Sequence, residues 1–158
     1  MLAGLLLSGA LLSGCDPQRV TKLEEGVSTE AQVREQFGDP VTVTVEADGA
    51  RRLDYPRQPA GWTNYVIRIG PDGKMSSLRQ LLNDDNMARV QPGLTMQQVR
   101  DLLGRPAAQQ HFTLKQQDVW DWRYKPQGQE SKLFSVTFDN LGVVVGSSVA
   151  DDPREVAK

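Results

Sequence analysis

A single cysteine, Cys15, and a single histidine, His111, occur in 158 residues. One cysteine cannot close a disulfide within the chain, so packing alone must hold the fold. One histidine cannot build the His/Cys ligand sets of zinc sites, and it leaves a Ser or Cys nucleophile only one candidate imidazole base. Runs of Lys or Arg are missing and the formal net charge is -2, which removes the electrostatic footprint of a nucleic-acid binder. Gly-rich phosphate loops are also missing, since Gly70-Pro71-Asp72-Gly73 reads as a turn. Asp84-Asp85 and Asp151-Asp152 read as a helix cap and a tail rather than as cation ligands. The reading is therefore non-enzymatic, with no cofactor and no metal expected.

What the chain does have is a repetition. Thr29, Gln32, Val33, Arg34, Glu35, Phe37, Gly38 and Pro40 are echoed 66 positions later by Thr95, Gln98, Val99, Arg100, Asp101, Leu103, Gly104 and Pro106. Each copy specifies one short helix. Thr29 and Thr95 are placed as N-caps, and Gln32 and Gln98 supply the returning half of a capping box. Val33 and Phe37, matched by Val99, Leu102 and Leu103, give each helix one narrow apolar stripe. Gly38 and Gly104 stand where a left-handed C-cap is wanted, and Pro40 and Pro106 stop the helix.

Strand patterns follow each copy in the same order. Val41 to Val45 alternates, Asp48-Gly49 is a hairpin turn, Arg51 to Tyr55 returns, and Trp62 to Ile69 and Lys74 to Leu82 flank the next turn. The second copy gives a Gln-rich strand over Ala107 to Leu114, then Asp118 to Tyr124, Leu133 to Phe138 and Val143 to Val149. Leu53-Asp54-Tyr55 is mirrored by Trp120-Asp121-Trp122. Helices followed by antiparallel strands, twice over, predict an α+β two-layer fold of two tandem helix-helix-sheet units. The units are placed at 23–84 and 85–150, with a charged tail at 151–158 expected to fray.

Trp120, Trp122 and Tyr124 share one face of their strand. They are either the core under the helices or an open face that a partner covers, and with Tyr55 and Trp62 they are the partner-binding candidates. If the aromatics face inward, the opposite face, with Asp121, Arg123, Ser135 and Thr137, is expected to be solvated.

Met1 to Gly14 is apolar and uncharged, yet shorter than the roughly 20 residues a membrane-spanning helix needs. It reads as a signal peptide, and Leu12-Ser13-Gly14-Cys15 resembles the lipobox of bacterial lipoproteins. The charged segment that normally precedes such a run is absent, so the start is expected a few residues upstream. The resemblance implies that Cys15 becomes a lipidated N-terminus, with 15–22 a tether to the membrane. Asp16 resembles the inner-membrane retention signal of enterobacterial sorting.

Gly93-Leu94-Thr95, Gln98-Val99, Leu103-Gly104, Pro106, Trp120 to Tyr124, Val136 to Asp139 and Gly142-Val143 resemble the SmpA/OmlA (BamE) family of small lipoproteins. That resemblance implies two helices and a three-stranded antiparallel sheet per unit, a periplasm-facing protein at the outer membrane, and partners in the β-barrel assembly machinery. It covers the second unit well and the first loosely. Two units in tandem also resemble the β-lactamase inhibitory proteins, which implies a tethered inhibitor or modulator of an envelope enzyme as the second reading.

Overall fold

The computed structural model of the protein describes residues 16–156, so the leader Met1 to Gly14 and the lipid site Cys15 lie outside the described residues. The segment expected as a tether contains a short helix, α1 (Asp16–Val20), and Val20 packs against the first core; the first unit then runs α2 (Glu30–Phe37), β1 (Thr42–Val45), β2 (Arg51–Pro56), β3 (Asn64–Ile69) and β4 (Met75–Gln80). The second repeats it with α3 (Asp84–Ala88), α4 (Met96–Leu103), β5 (Ala108–Phe112), β6 (Gln117–Tyr124), β7 (Lys132–Phe138) and β8 (Val144–Asp151), followed by α5 (Pro153–Val156). Each sheet is a four-stranded antiparallel meander in sequence order. The implied three strands become four because the polar segment after each helix, β1 or β5, adds an outer strand.

Local sequence explains the helices. Gln32 N–H donates to Thr29 Oγ1, and Thr29 N–H donates to Gln32 Oε1 at 2.8 Å. Thr95 and Gln98 make the same reciprocal pair. The terminal glycines are a correction to the expected left-handed cap. Gly38 has φ 80° and ψ -163°, Gly104 φ 75° and ψ -159°, a fully extended ψ in a region that only glycine occupies cheaply. Their N–H groups still close the last turn, donating to Arg34 O and Arg100 O at 2.8 Å.

Each helix lays its stripe on its own sheet and makes its own core. In the first unit Val33 and Phe37 meet Leu53, Tyr55, Tyr65 and Ile67; in the second Val99 and Leu103 meet Trp120, Trp122, Phe134 and Val136. The registers agree, with Tyr55 opposite Tyr65 as Trp122 is opposite Phe134. An aromatic at this position also anchors the helix end. Tyr55 Oη donates to Gly38 O, and Trp122 Nε1 donates to Gly104 O, both at 3.1 Å. Burial pushes the Tyr55 hydroxyl up to about 12.

Candidate protein-binding cleft between the two units

Four of the five aromatic candidates are core. Trp122 and Tyr55 are 0% and 1% exposed, and Trp120 and Tyr124 are also buried. Only Trp62 reaches solvent, at 37%. It sits in the β2–β3 loop, its ring 5.8 Å from the Arg123 guanidinium and 5.3 Å from Lys125 Nζ, so both cations lie against its π-face.

The face expected to be solvated is instead partly covered: Asp121 and Arg123 are buried. For Arg123 the cause is that same β2–β3 loop. Strand β5 is paired only as far as Ala108, opposite Asp121, because Pro106 ends it, and this leaves the edge of β6 bare at Arg123. Gln58 fills the gap with its carboxamide. Its Nε2 donates to Arg123 O at 2.6 Å, and Arg123 N–H donates to Gln58 Oε1 at 3.2 Å. The Arg123 guanidinium reaches back to Pro59 O at 3.0 Å and forms a buried ion pair with Asp152.

The tail is therefore a clasp, not a frayed end. Asp151 ends β8, Asp152 is 1% exposed, and Ser131 Oγ donates to its Oδ2 at 3.1 Å. Burial tends to raise the Asp152 carboxyl, yet Arg123, the Arg154 N–H and Ser131 outweigh it and hold the group below the usual carboxylate range.

A second contact joins the units at the end of α4. Asn64 Nδ2 donates to Leu103 O at 2.7 Å and to Arg105 O at 2.9 Å, capping carbonyls that the helix leaves open. This contact needs Gly104. A Cβ there would stand 2.9 Å from Asn64 Nδ2, whereas a Cβ on Gly38 would meet nothing within 4 Å. Gly38→Ala is expected to lose the conformational cost alone, about 1–3 kcal/mol, and Gly104→Ala measurably more, from the displaced Asn64. Chemical denaturation of the two variants checks this; equal losses would mean that Asn64 yields freely.

Between these contacts lies a cleft of about 790 Å³. Its floor is the first sheet's helix-free face, with Thr42, Thr44, Arg52 and Asp54, and its far wall is Arg100, Arg105 and Gln109 of the second unit. Arg52 Nε donates to Asp54 Oδ1 at 3.1 Å. Arg100 lies 5.0 Å over the Trp120 ring, and neither Arg100 nor Arg105 joins an ion pair among the described residues. Asn64, 2% exposed, lines the cleft with its Oδ1 left without a donor. Two cations without an acidic partner are groups that a polar, partly anionic chain would complete.

Catalytic groups do not gather here. His111 Nδ1 lies 3.0 Å from Asp118 Oδ1 on the exposed strand β5, and no hydroxyl or thiol is among its hydrogen-bond partners. Among the described residues no group of three His, Cys, Asp or Glu could hold a metal ion, and no helix is long and apolar enough to cross a membrane.

Gln58, which joins the units, and Asn64, Arg100 and Arg105, which line the cleft, are not among the sequence candidates. One signal marks Asn64 among them. Pro56 opposite Asn64 in the first sheet corresponds to Arg123 opposite Leu133 in the second, so the two copies part in polarity where the units touch.

Residues 80–148 match the model of the outer membrane protein assembly factor BamE domain. The match spans α3, α4, β5 to β7 and most of β8, which is the second unit. No curated protein matches the chain significantly. A solved structure described as the osmotically inducible lipoprotein OsmE is 25% identical, with 45% of this chain and 82% of that one covered at a TM-score of 0.40. A structure described as a β-lactamase inhibitor protein from Streptococcus mutans is 11% identical, covering 86% of this chain and 95% of its own at a TM-score of 0.35. A DUF4309 family protein, YjgB, from Bacillus subtilis is 17% identical, covering 86% of each chain at the same TM-score.

Proposed function

We propose that this chain, whose second unit matches the BamE domain model, is a non-catalytic binding module of the cell envelope. In this reading it is tethered through lipidated Cys15 to the outer membrane, faces the periplasm, and contacts the machinery that assembles β-barrel proteins. The observation that carries the proposal is the BamE match over residues 80–148. Several acyl chains on one cysteine anchor a domain stably, which suits a chain with no membrane-spanning helix among its described residues.

The geometry adds a reason for two units. A doubled fold joined by a polar interface keeps a cleft at a fixed opening, and a fixed opening spares a partner the cost of ordering it. The test is photocrosslinking in the native envelope from an unnatural amino acid at Thr44 or Gln109. Crosslinks to a barrel-assembly subunit are the expected outcome. A hydrolase captured from both positions in its place would replace this reading with that of a tethered inhibitor.

A further inference from the structure

A strand with no neighbour exposes a row of backbone N–H and C=O groups, and folded proteins guard such edges with lysine, proline, a bulge or a covering segment. Among the described residues there are four outer strands, β1, β4, β5 and β8. The edge of β4 is covered by the segment before α2: Gly26 N–H donates to Met75 O and Met75 N–H to Ser28 O, both at 2.7 Å, and Leu78 N–H donates to Glu25 Oε1. The start of β8 is covered likewise, with Gly93 N–H on Val144 O and Val144 N–H on Leu94 O. Among the described residues no segment covers β1 or β5 on the open side.

Of these two, β1 is the better template. It reads Thr42-Val43-Thr44-Val45: four β-branched residues, all exposed, with no charge, no proline and no glycine to discourage pairing. The hydrogen-bond phase is fixed by Glu46 N–H on Ala50 O at 2.8 Å. Antiparallel pairs alternate, so 44/52 and 42/54 bond inward while the backbone groups of Val43 and Val45 point to the open edge. On one face Val43 and Val45 form an exposed apolar pair; on the other, Thr42 and Thr44 line the cleft, with Val41 beside them.

We propose that β1 is a docking edge for an extended segment of a partner protein, which adds as a fifth strand to the first sheet. The proposal rests on the protein-binding reading above and names its site. Main-chain bonds to Val43 and Val45 hold the segment, and alternate side chains choose it. Apolar residues meet the valine pair. On the cleft side a carboxylate faces Arg100 and Arg105, the two cations there without an acidic partner. Those arginines are why the occupant is an acidic segment. The cleft volume of about 790 Å³ suits one extended strand rather than a second folded unit.

Calorimetric titration of the full mature chain with the blocked peptide Thr-Val-Glu-Val-Thr-Val-Glu-Val tests this. Binding at one to one is expected, weakened at least tenfold by Val43→Pro and by replacing both peptide glutamates with lysine. Proline at 43 removes an N–H that bonds nothing in the sheet, so the near-UV circular dichroism should be unchanged. A peptide N-methylated at alternate residues asks the same question of the unaltered protein, and it should not bind. Binding that survives both N-methylation and Val43→Pro overturns the proposal. So does dimerisation through β1 with no peptide bound, which would assign the edge to a second copy. The two readings separate in the envelope. Crosslinks to a barrel-assembly subunit that Val43→Pro leaves intact overturn the docking edge alone, while edge-dependent peptide binding with no envelope crosslink supports it and removes the assembly role.

Discussion

Trp122→Ala is expected to unfold the second unit while the first stays folded. The indole is 0% exposed and packs among Trp120, Phe134 and Leu103 in a core that shares no residue with the core of the first unit. Truncating a buried Trp to Ala costs about 3–5 kcal/mol, through lost transfer energy and the cavity left behind. Here the loss is compounded because Gly104 O, at the end of α4, gives up its indole donor. Hydrogen exchange provides the readout. Amides of β6 and β7 should lose protection by that amount, and those of β2 and β3 should keep most of theirs. A variant that kept its stability and lost a partner would instead make Trp122 a contact residue, against its burial.

Elements set by short-range chemistry could be read directly from the sequence. The two capping boxes needed only Thr and Gln three residues apart, and both formed. The duplication carried the sheet topology with it, since the pairing of Leu53-Asp54-Tyr55 with Trp120-Asp121-Trp122 is the one the registers display. What could not be read was the relation between the units. A solvated face was expected at Asp121 and Arg123 because alternation tells which side a residue takes, not what another unit lays over that side. The tail looked like a frayed end because charge counts as polarity until a buried partner is known; Asp152 needed Arg123, 29 residues away, to be understood. Gly104 was identified as a helix stop but not as the place where Asn64 enters. Such interface residues carry no periodicity of their own. They are visible only as positions at which two otherwise matching copies disagree.

Asp152→Ala is expected to cost about 3–5 kcal/mol, the typical result of stripping a buried charge of its partner. Arg123 is 6% exposed and spends its donors on Asp152, Pro59 O and Ala60 O, so without the carboxylate its charge stays buried and uncompensated. Asp152→Asn should lose less, because an amide oxygen can still accept from Arg123. The pH dependence separates charge from packing. The Asp152 carboxyl is held below its ordinary range, so its contribution is fully present above the unfolded value, near 3.9, and is lost as pH falls through the lower folded value. The stability gap between the natural protein and Asp152→Asn should then be constant from pH 7 to about 5 and shrink steadily as pH falls below that. Glu25 and Asp48, whose carboxyls are also held low, are common to both proteins and cancel in the difference. Denaturation midpoints across that range give the curve. A gap that did not shrink at all between pH 5 and pH 3 would mean that shape and hydrogen bonding, rather than the ion pair, fasten the tail over the β2–β3 loop. A shrinking gap would mean that the opening of the cleft is held by a charge that acid can remove, since the same loop carries Gln58 and leads into Asn64.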